Sequence, residues 1–382
     1  MSKYDVLFES VTLRNGVELK NRFALAPMLA FDADEKANVT DEGVAYIERR
    51  NNVGDLLIAG AHAISVHGLA GNGQIGIFDD NQIEGLKRYA SAMKKKGHKA
   101  IAQLHHPGRE STYSYQLFGK VYGPSAIDFP FLNYPITELS EEEVWDVVKE
   151  YGEATRRAVE AGYDGVEIHG ANHYLIQQFF SAYSNVREDY WGGSFEKRMN
   201  FALEVVKEVK RVASELANES FIVGYRISPE EVHGDTVGYT IDDALELIDK
   251  VVDAGVDYLH VSLFGPESYK LVASKGNQTE AMNALIHKKI AGRCPHIVVG
   301  SINTPEIALD ALNYGDVLAL GVASLADPDF SEKINTERFD EINMDVTGRQ
   351  DDLHIPHKLV LVYGMEGNPL PPVTGIESFT VK

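Results

Sequence analysis

Short apolar segments rich in Val, Ile, Leu and Ala recur along the chain. Nearly every position within each segment is apolar, which is typical of strands that are buried on both faces in a parallel sheet covered by helices. Eight segments fit this description and are candidate strands: residues 22–28, 56–61, 99–104, 164–169, 221–227, 257–262, 296–301 and 316–321.

Amphipathic stretches lie between these segments, and the clearest covers residues 140–162. Its apolar residues fall on one helical stripe. Ser140, followed three residues later by Glu143, predicts a capping-box start, and Gly162 predicts the end of the helix. Strand and helix signals therefore alternate.

The junctions before the strands repeat, as in "VEAGYDGVEIH" at 159–169 and "VDAGVDYLHVS" at 252–262. Eight β/α units with right-handed crossovers close into a barrel, whereas an open doubly wound sheet usually has fewer strands. No G-x-G-x-x-G follows a candidate strand, which further disfavours a Rossmann fold. We predict an α/β fold, a (β/α)8 TIM barrel.

Two stretches stand outside this repeat. One is an insertion after the third strand, at about 105–139. The other follows the predicted barrel domain, residues 1–338, as a C-terminal tail, residues 339–382. The sequence leaves two placements open for the tail, on its own barrel or on a neighbouring subunit of a homo-oligomer.

Composition narrows the class of partner. The 382 residues carry 36 Lys and Arg against 57 Asp and Glu, and this net charge of −21 argues against nucleic acid and anionic membranes. Small-molecule substrates are favoured. The single cysteine, Cys294, excludes a disulfide within the chain and an iron–sulfur cluster held by four of its cysteines. With no signal-like start and no run of roughly 20 apolar residues, we expect a cytoplasmic protein.

Polar residues lie at the predicted strand ends, where barrels of this class form their active sites. They are Gln103, His169, Arg226 and Ser301. Burying such a group unpaired costs roughly 1–3 kcal/mol, so a polar ligand is expected to supply partners. The alternative is that these groups pair with one another or with the backbone.

A phosphate site is predicted after the seventh and eighth strands. Gly300 and Ser301 form a turn before Thr304, the expected N-cap, and Pro305, the first helical residue. Gly321 repeats the strand, glycine and helix order. Turns at these two places commonly hold phosphate in barrels, although Gly–Ser turns are also ordinary connectors.

His169, Asn172 and Tyr174 follow the fourth strand within six positions. The first two are spaced to act on one acceptor oxygen, and a tyrosine, with a pKa near 10, donates a proton while neutral at pH 7. This set suits reduction of an activated double bond or carbonyl. For Asn172, helix N-capping is the alternative.

Seven motifs along residues 5–335 together resemble the old yellow enzyme family of FMN-dependent oxidoreductases. The specific ones are "HGAN-x-Y-L" and "R-x-D-x-x-G-G-S-x-E-x-R". The motifs are "NRFALAPM" (21–28), "QLHHPGR" (103–109), "GPSAI" (123–127), "AGYDGVEIHGANHYLIQQF" (161–179), "SNVREDYWGGSFEKR" (184–198), "VGSI" (299–302) and "LADPDF" (325–330).

The resemblance implies FMN as cofactor, NADH or NADPH as reductant, and ping-pong reduction of an electron-poor alkene, the reaction of an ene-reductase. His169 and Asn172 would bind the substrate carbonyl, and Tyr174 would donate the proton. The implied flavin-ring contacts are Pro27, Met28, Leu29 and Ala61, the pyrimidine contacts are Gln103 and Arg226, and the phosphate contacts are Gly300, Ser301 and Gly321.

Three residues depart from the family pattern. Leu29 stands where many relatives have Thr or Cys, so we expect a lower redox potential than theirs. Val322 replaces an arginine that commonly binds the phosphate, which should weaken FMN binding. His173 replaces a frequent glycine, which adds bulk and is expected to narrow the alkene range.

Three other interpretations compete with an active ene-reductase. One is a catalytically weak flavin-binding barrel. Another is a flavin-free lyase or isomerase acting on a phosphorylated metabolite, with Glu167 as the best carboxylate base. The third is metal ligation by His105, His106 and His169, which is disfavoured because adjacent histidines rarely point at one ion. We assign no metal site.

Overall fold

The computed structural model describes residues 2–368 and 370–380 of the chain. Eight parallel strands form a closed barrel. Each strand pairs with the strand before it and the strand after it in the chain; β3, for example, pairs with both β2 and β4. β8 pairs with β1 and completes the ring. This confirms the predicted TIM barrel. The strands are Phe23–Leu25 (β1), Leu56–Ile58 (β2), Lys99–His105 (β3), Gly165–Gly170 (β4), Ile222–Ile227 (β5), Tyr258–Val261 (β6), His296–Val298 (β7) and Val317–Leu320 (β8).

Helices follow the strands and cover the outside of the barrel. They are Asp41–Arg49 (α1), Ile83–Met93 (α2), Glu141–Glu160 (α3), Asn200–Leu216 (α4), Ile241–Asp253 (α5), Met282–Ile290 (α6), Pro305–Ala311 (α7) and Phe330–Asn335 (α8). Shorter helices cover Thr112–Phe118, Leu175–Phe180, Phe195–Arg198, Val322–Ala326, Gln350–Leu353 and His357–Tyr363. None of the helices in the described ranges is long and apolar enough to cross a membrane.

The predicted helix starts are confirmed at two places. Ser140 accepts a hydrogen bond from the Glu143 N–H at 3.2 Å, and the Glu143 carboxylate accepts one from the Ser140 N–H at 2.7 Å. The Thr304 hydroxyl accepts a hydrogen bond from the Ile307 N–H, and Thr304 stands directly before Pro305, the first residue of the helix. Side-chain caps of this kind satisfy N–H groups that a helix leaves unpaired.

The barrel interior is packed with small and branched side chains from alternate strand positions. A Cβ placed on Gly224 would lie 2.1 Å from the Tyr258 ring, so this glycine makes room for the ring. A hairpin of Val11–Thr12 and Glu18–Leu19 adds apolar side chains to the same cluster. It therefore closes the N-terminal end of the barrel and leaves the C-terminal end for a ligand.

The insertion after β3 contains the helix Thr112–Phe118 and two short paired strands, Tyr122–Gly123 and Thr137–Glu138. Arg187, from one of the family-like motifs, donates to the carbonyls of Pro124 and Leu139 within it. This arginine therefore holds the insertion over the barrel.

The described part of the tail packs on the barrel of its own chain. Leu353 is fully buried in the main core, and its carbonyl accepts a hydrogen bond at 3.2 Å from the buried Arg50, the residue that follows α1. Lys358 donates to the Ala33 carbonyl at 2.8 Å. Residues 1, 369, 381 and 382 of the predicted domains lie outside the described residues. The division into barrel and tail domains stays a prediction.

Candidate active site

The predicted flavin-ring contacts lie at the C-terminal ends of β1 and β2. Arg226 of β5 reaches towards this end, with Nη1 3.5 Å from the Pro27 carbonyl oxygen. A Cβ placed on Gly321, after β8, would lie 3.6 Å from the Met28 sulfur. Leu29 and Ala61 are partly exposed beside them. The structure thus brings together Pro27, Met28, Arg226 and Gly321 from three strand ends.

The C-terminal end of the barrel, where these strand ends meet, is called the mouth. A group of buried polar side chains lies beneath it. The Gln103 amide donates to Glu167 at 2.7 Å, and His260 Nδ1 lies 2.9 Å from the other oxygen of the same carboxylate. Burial raises the pKa of Glu167, but His260, Arg226 and Gln103 overcome this effect and hold it below its usual value. Gln103 therefore bonds a side chain of the neighbouring strand, which agrees with the alternative that the polar groups at the strand ends pair with one another. Among the described residues, Arg226 Nε has no hydrogen-bond partner.

His169 is buried and neutral. Burial lowers its pKa well below the ordinary value, and the nearby Arg226 and His105 add to the effect. Its Nδ1 accepts a hydrogen bond from the Ala171 N–H at 3.3 Å, which assigns the proton to Nε2. His169 thus offers one N–H donor.

Asn172 does not cap a helix, because Tyr174 is the residue before the helix Leu175–Phe180. Its backbone has a positive φ of 59°, and its N–H donates to Ser228 Oγ at 3.0 Å. Its side-chain oxygen accepts from Ser262 Oγ at 2.7 Å. Since the oxygen is engaged, the amide nitrogen is left as the donor to a ligand.

Tyr174 packs edge-on against two histidine rings, with centroid separations of 4.3 Å to His105 and 5.0 Å to His169. Burial raises the pKa of its phenol, Glu110 adds to the rise and Arg226 opposes it. The phenol is therefore protonated at neutral pH and held in place beside the first donor, His169.

The turn predicted to bind phosphate has an unusual backbone. Gly300 has a φ of 151° and Ser301 a φ of 53°. A Cβ on Gly300 would lie 2.7 Å from the backbone nitrogen of Tyr269 and 2.9 Å from Ser268 Oγ, so only glycine fits. Ser268 Oγ is buried and has no hydrogen-bond partner within residues 2–368 and 370–380. Val322 begins the five-residue helix after Gly321 and offers no charge to a phosphate.

These features fit FMN. In the described part of the chain, several buried polar atoms near the mouth lack protein partners, as expected where a polar ligand binds. The glycine turn lets the backbone approach a phosphate closely. The unpartnered atoms are Arg226 Nε, His260 Nε2, His105 Nε2 and Ser268 Oγ.

The structure does not group His105, His106 and His169 as metal ligands. His105 Nδ1 contacts Gln74 at 3.0 Å, and His106 Nδ1 accepts the Gly108 N–H at 3.1 Å. Among the described residues, the group with ligand atoms close enough for one ion is instead His173, Glu231 and His233.

Sequence reasoning missed several residues of the site. Ser228 and Ser262 orient Asn172 from two other strand ends, and His260 shares the Glu167 carboxylate. Serine after a strand is too common to single out. Glu231 and His233 lie on a hairpin of Glu231–His233 and Thr236–Tyr239, which the two-residue Gly–Asp link would have predicted.

Comparison with known proteins identifies the family. The NADH:flavin oxidoreductase / NADH oxidase family model matches residues 6–341. The probable NADH-dependent flavin oxidoreductase YqiG of Bacillus subtilis is 40% identical over 94% of this chain and 95% of its own length. The NADH:fumarate oxidoreductase of Klebsiella pneumoniae is 39% identical over 94% of this chain, but this covers only 39% of that protein.

A solved structure is similar in fold to this chain. The old yellow enzyme homologue from Zymomonas mobilis matches with a TM-score of 0.74 and 25% identity, over 87% of this chain and 92% of that one. The chain belongs to the NADH:flavin oxidoreductase / NADH oxidase family, and it is an oxidoreductase that uses FMN and NADH or NADPH.

Proposed function

We propose that the protein reduces electron-poor alkenes of the enone type. Bound FMN would supply hydride transfer from NADH or NADPH to the alkene, in a ping-pong cycle that the nicotinamide and the alkene share in turn. The arrangement of His169, Asn172 and Tyr174 beside the Arg226 end of the mouth supports this function. These three residues supply what the alkene needs besides the hydride.

The observation that carries the proposal is the orientation of two donors. The Ala171 N–H occupies His169 Nδ1, and Ser262 occupies the Asn172 side-chain oxygen. Both residues therefore present an N–H to the substrate rather than an acceptor. Two such donors bind a carbonyl oxygen and stabilise the negative charge that develops on it when hydride adds to the conjugated alkene.

Tyr174 is proposed as the proton donor. The hydride adds to the β carbon, and the phenol gives its proton to the α carbon, so that the double bond becomes a single bond. Solvent then returns a proton to the phenolate. The raised pKa keeps the proton on the phenol until the carbon becomes basic.

For the cofactor, we propose that Pro27, Met28, Leu29 and Ala61 contact the flavin ring. Gln103 and Arg226 are proposed to bind its pyrimidine edge, where the fixed charge of Arg226 favours added negative charge. The proposed phosphate contacts are Gly300, Ser301 and Gly321, with Ser268 added because its hydroxyl is unpartnered.

A relative supports the alkene class. The Klebsiella protein is named for fumarate, whose double bond is activated by carboxyl groups. Both enones and unsaturated acids therefore belong among the trial substrates. Family membership favours this function over the flavin-free lyase or isomerase.

The test is the Tyr174→Phe variant in anaerobic rapid-mixing experiments that follow flavin absorbance. We expect reoxidation of the flavin by an enone to slow by about 100-fold or more, the usual contribution of a positioned acid, while reduction by NADH stays within a few-fold of wild type. Equal loss in both half-reactions would refute the assignment of Tyr174.

A further inference from the structure

A group of three ligating side chains lies at the edge of the mouth, outside the proposed chemistry. His173 comes from the turn after β4, and Glu231 and His233 come from the hairpin after β5. His233 Nε2 lies 3.2 Å from Glu231 Oε1, and His173 Nδ1 lies 3.7 Å from Glu231 Oε2. One ligand atom of each residue lies within 4.8 Å of the others.

We propose that His173, Glu231 and His233 bind a divalent transition-metal ion, with Zn²⁺ as the best fit. Two imidazoles and one carboxylate are a donor set that zinc accepts, with a fourth position left for water. Tetrahedral ligands at about 2.0–2.1 Å from zinc lie about 3.4 Å from one another. The two measured separations lie on either side of this value. The proposal does not depend on alkene reduction.

The carboxylate is held ready for an ion. Glu231 is 1% exposed and accepts a hydrogen bond from Gln177 Nε2 at 2.8 Å. The same Gln177 nitrogen also lies 3.3 Å from His173 Nδ1, a contact that an ion bound at Nδ1 would replace. A Cβ on Gly238 would lie 3.0 Å from the Glu231 carboxyl carbon, so the facing strand packs closely against this side chain. Partners that orient a ligand in this way strengthen metal sites.

Charge also favours an ion here. A glutamate carboxyl has an ordinary pKa of about 4.3, Gln177 donates a hydrogen bond to this one, and the positive charge of Arg109 is nearby. The residue is therefore anionic at neutral pH. Arg109 itself pairs with Glu110 and Ser184, so it is not the direct partner of Glu231.

The two histidines are accessible, with side chains 45% exposed at His173 and 37% exposed at His233. An ion can therefore reach them from solvent. His173 also separates Asn172 from Tyr174 in the chain, and both it and Asn172 have positive φ angles. An ion at this site would join the proposed substrate-binding turn to the hairpin.

The test is a calorimetric titration of the untagged, chelator-treated holoenzyme with ZnCl₂. We expect one Zn²⁺ per chain. The variants His173→Ala and His233→Ala should each weaken binding by more than about 10-fold, since loss of even an orienting partner weakens sites by about 10–100-fold. Co²⁺ in place of Zn²⁺ should give the visible bands of tetrahedral coordination at wavelengths beyond flavin absorption.

His287→Ala is the matched control, because it removes a half-exposed histidine on α6 away from the site and should leave zinc binding unchanged. Glu231→Gln keeps the shape of the side chain and should also abolish binding, with circular dichroism to show that the variant folds. Wild-type protein that binds no stoichiometric zinc, or histidine variants that bind as wild type does, would overturn the proposal.

Discussion

Asn172 is positioned by two serines that the chain supplies from separate strand ends. Its positive φ of 59° is followed by a positive φ of 62° at His173, and although asparagine and histidine adopt this region more often than most residues, both side chains meet a steric cost there that glycine avoids. The glycine that is frequent in the family at position 173 would adopt this positive φ without the steric cost of a side chain. The chain holds a strained turn where the proposed substrate donors lie.

Ser262→Ala tests whether orientation of Asn172 matters. Loss of one hydrogen bond of about 1 kcal/mol frees the amide to rotate, so we expect KM for an enone to rise about fivefold. FMN content should stay at the wild-type level. Steady-state kinetics and the flavin-to-protein absorbance ratio measure both quantities.

Ser331→Ala is the control for Ser262→Ala, because it also removes a buried serine hydroxyl. Ser331 lies in α8, and its hydroxyl donates a hydrogen bond to the Asn52 carbonyl. This variant should keep the wild-type KM. If both variants shift KM alike, the effect is one of general packing and the role of Ser262 is wrong.

Residue identity predicted part of the site well. His169, Asn172 and Tyr174 were found because they follow one strand, and the structure places the rings of His169 and Tyr174 together. The partners of Asn172 were not found, because a contact between Asn172 and Ser262 depends on how two distant loops meet. Their roles in catalysis stay predictions.

At the scale of elements, apolar runs and caps predicted the strands and the starts of α3 and α7. The short helices Thr112–Phe118, Gln350–Leu353 and His357–Tyr363 were not predicted, because they contain too few residues to show a period. The tail also lacked a pattern, since it is held by single side chains such as Leu353 and by the Arg50 bond to its carbonyl rather than by a continuous amphipathic face.

Leu353→Ala tests the attachment of the tail. Truncating this fully buried side chain leaves a cavity, so we expect the free energy of unfolding to fall by about 2–5 kcal/mol. Chemical denaturation followed by circular dichroism measures the change.

The matched control for Leu353→Ala is Leu361→Ala, in the helix His357–Tyr363 of the same tail, where the leucine is 50% exposed. Its effect should stay within about 0.5 kcal/mol. A wild-type stability for Leu353→Ala would show that the tail is not anchored as described.

For the whole molecule, buried titratable groups set the response to acid. Burial lowers the pKa of six histidines: to about 4 for His62, to about 3 for His105, His106 and His296, and below the ordinary value for His169 and His260. Below the ordinary pKa of 6.5 the unfolded chain binds protons at these positions and the folded protein does not. Burial has the opposite consequence at two carboxyls, because it raises the pKa of Asp32 to about 6 and that of Glu150 to about 7.

We therefore expect the protein to lose stability as the pH falls from 6 to 5. The six histidines outweigh the two carboxyls by at least about two protons, which corresponds to at least about 2–3 kcal/mol per pH unit. Denaturant unfolding at constant ionic strength measures this slope. Equal stability at pH 7 and pH 5 would contradict the expectation.

Two histidines whose rings stack 6.1 Å apart serve as a matched pair for the acid response. His296→Gln removes a buried group and should reduce the slope by about 1.4 kcal/mol per pH unit. His287→Gln, at the half-exposed position, controls for loss of the ring contact itself.

The hairpin at the N-terminal end of the barrel has a consequence for folding order. Its neighbour Asn15 donates to the Phe221 carbonyl, 206 residues away in sequence, and the Lys20 N–H donates to Asp55. Val11 and Leu19 are covered by strands that include β8. Such distant contacts form slowly. During synthesis these apolar residues therefore stay exposed to solvent until the ribosome has made nearly all of the barrel strands. Residues that are synthesised early are thus among the last to be buried.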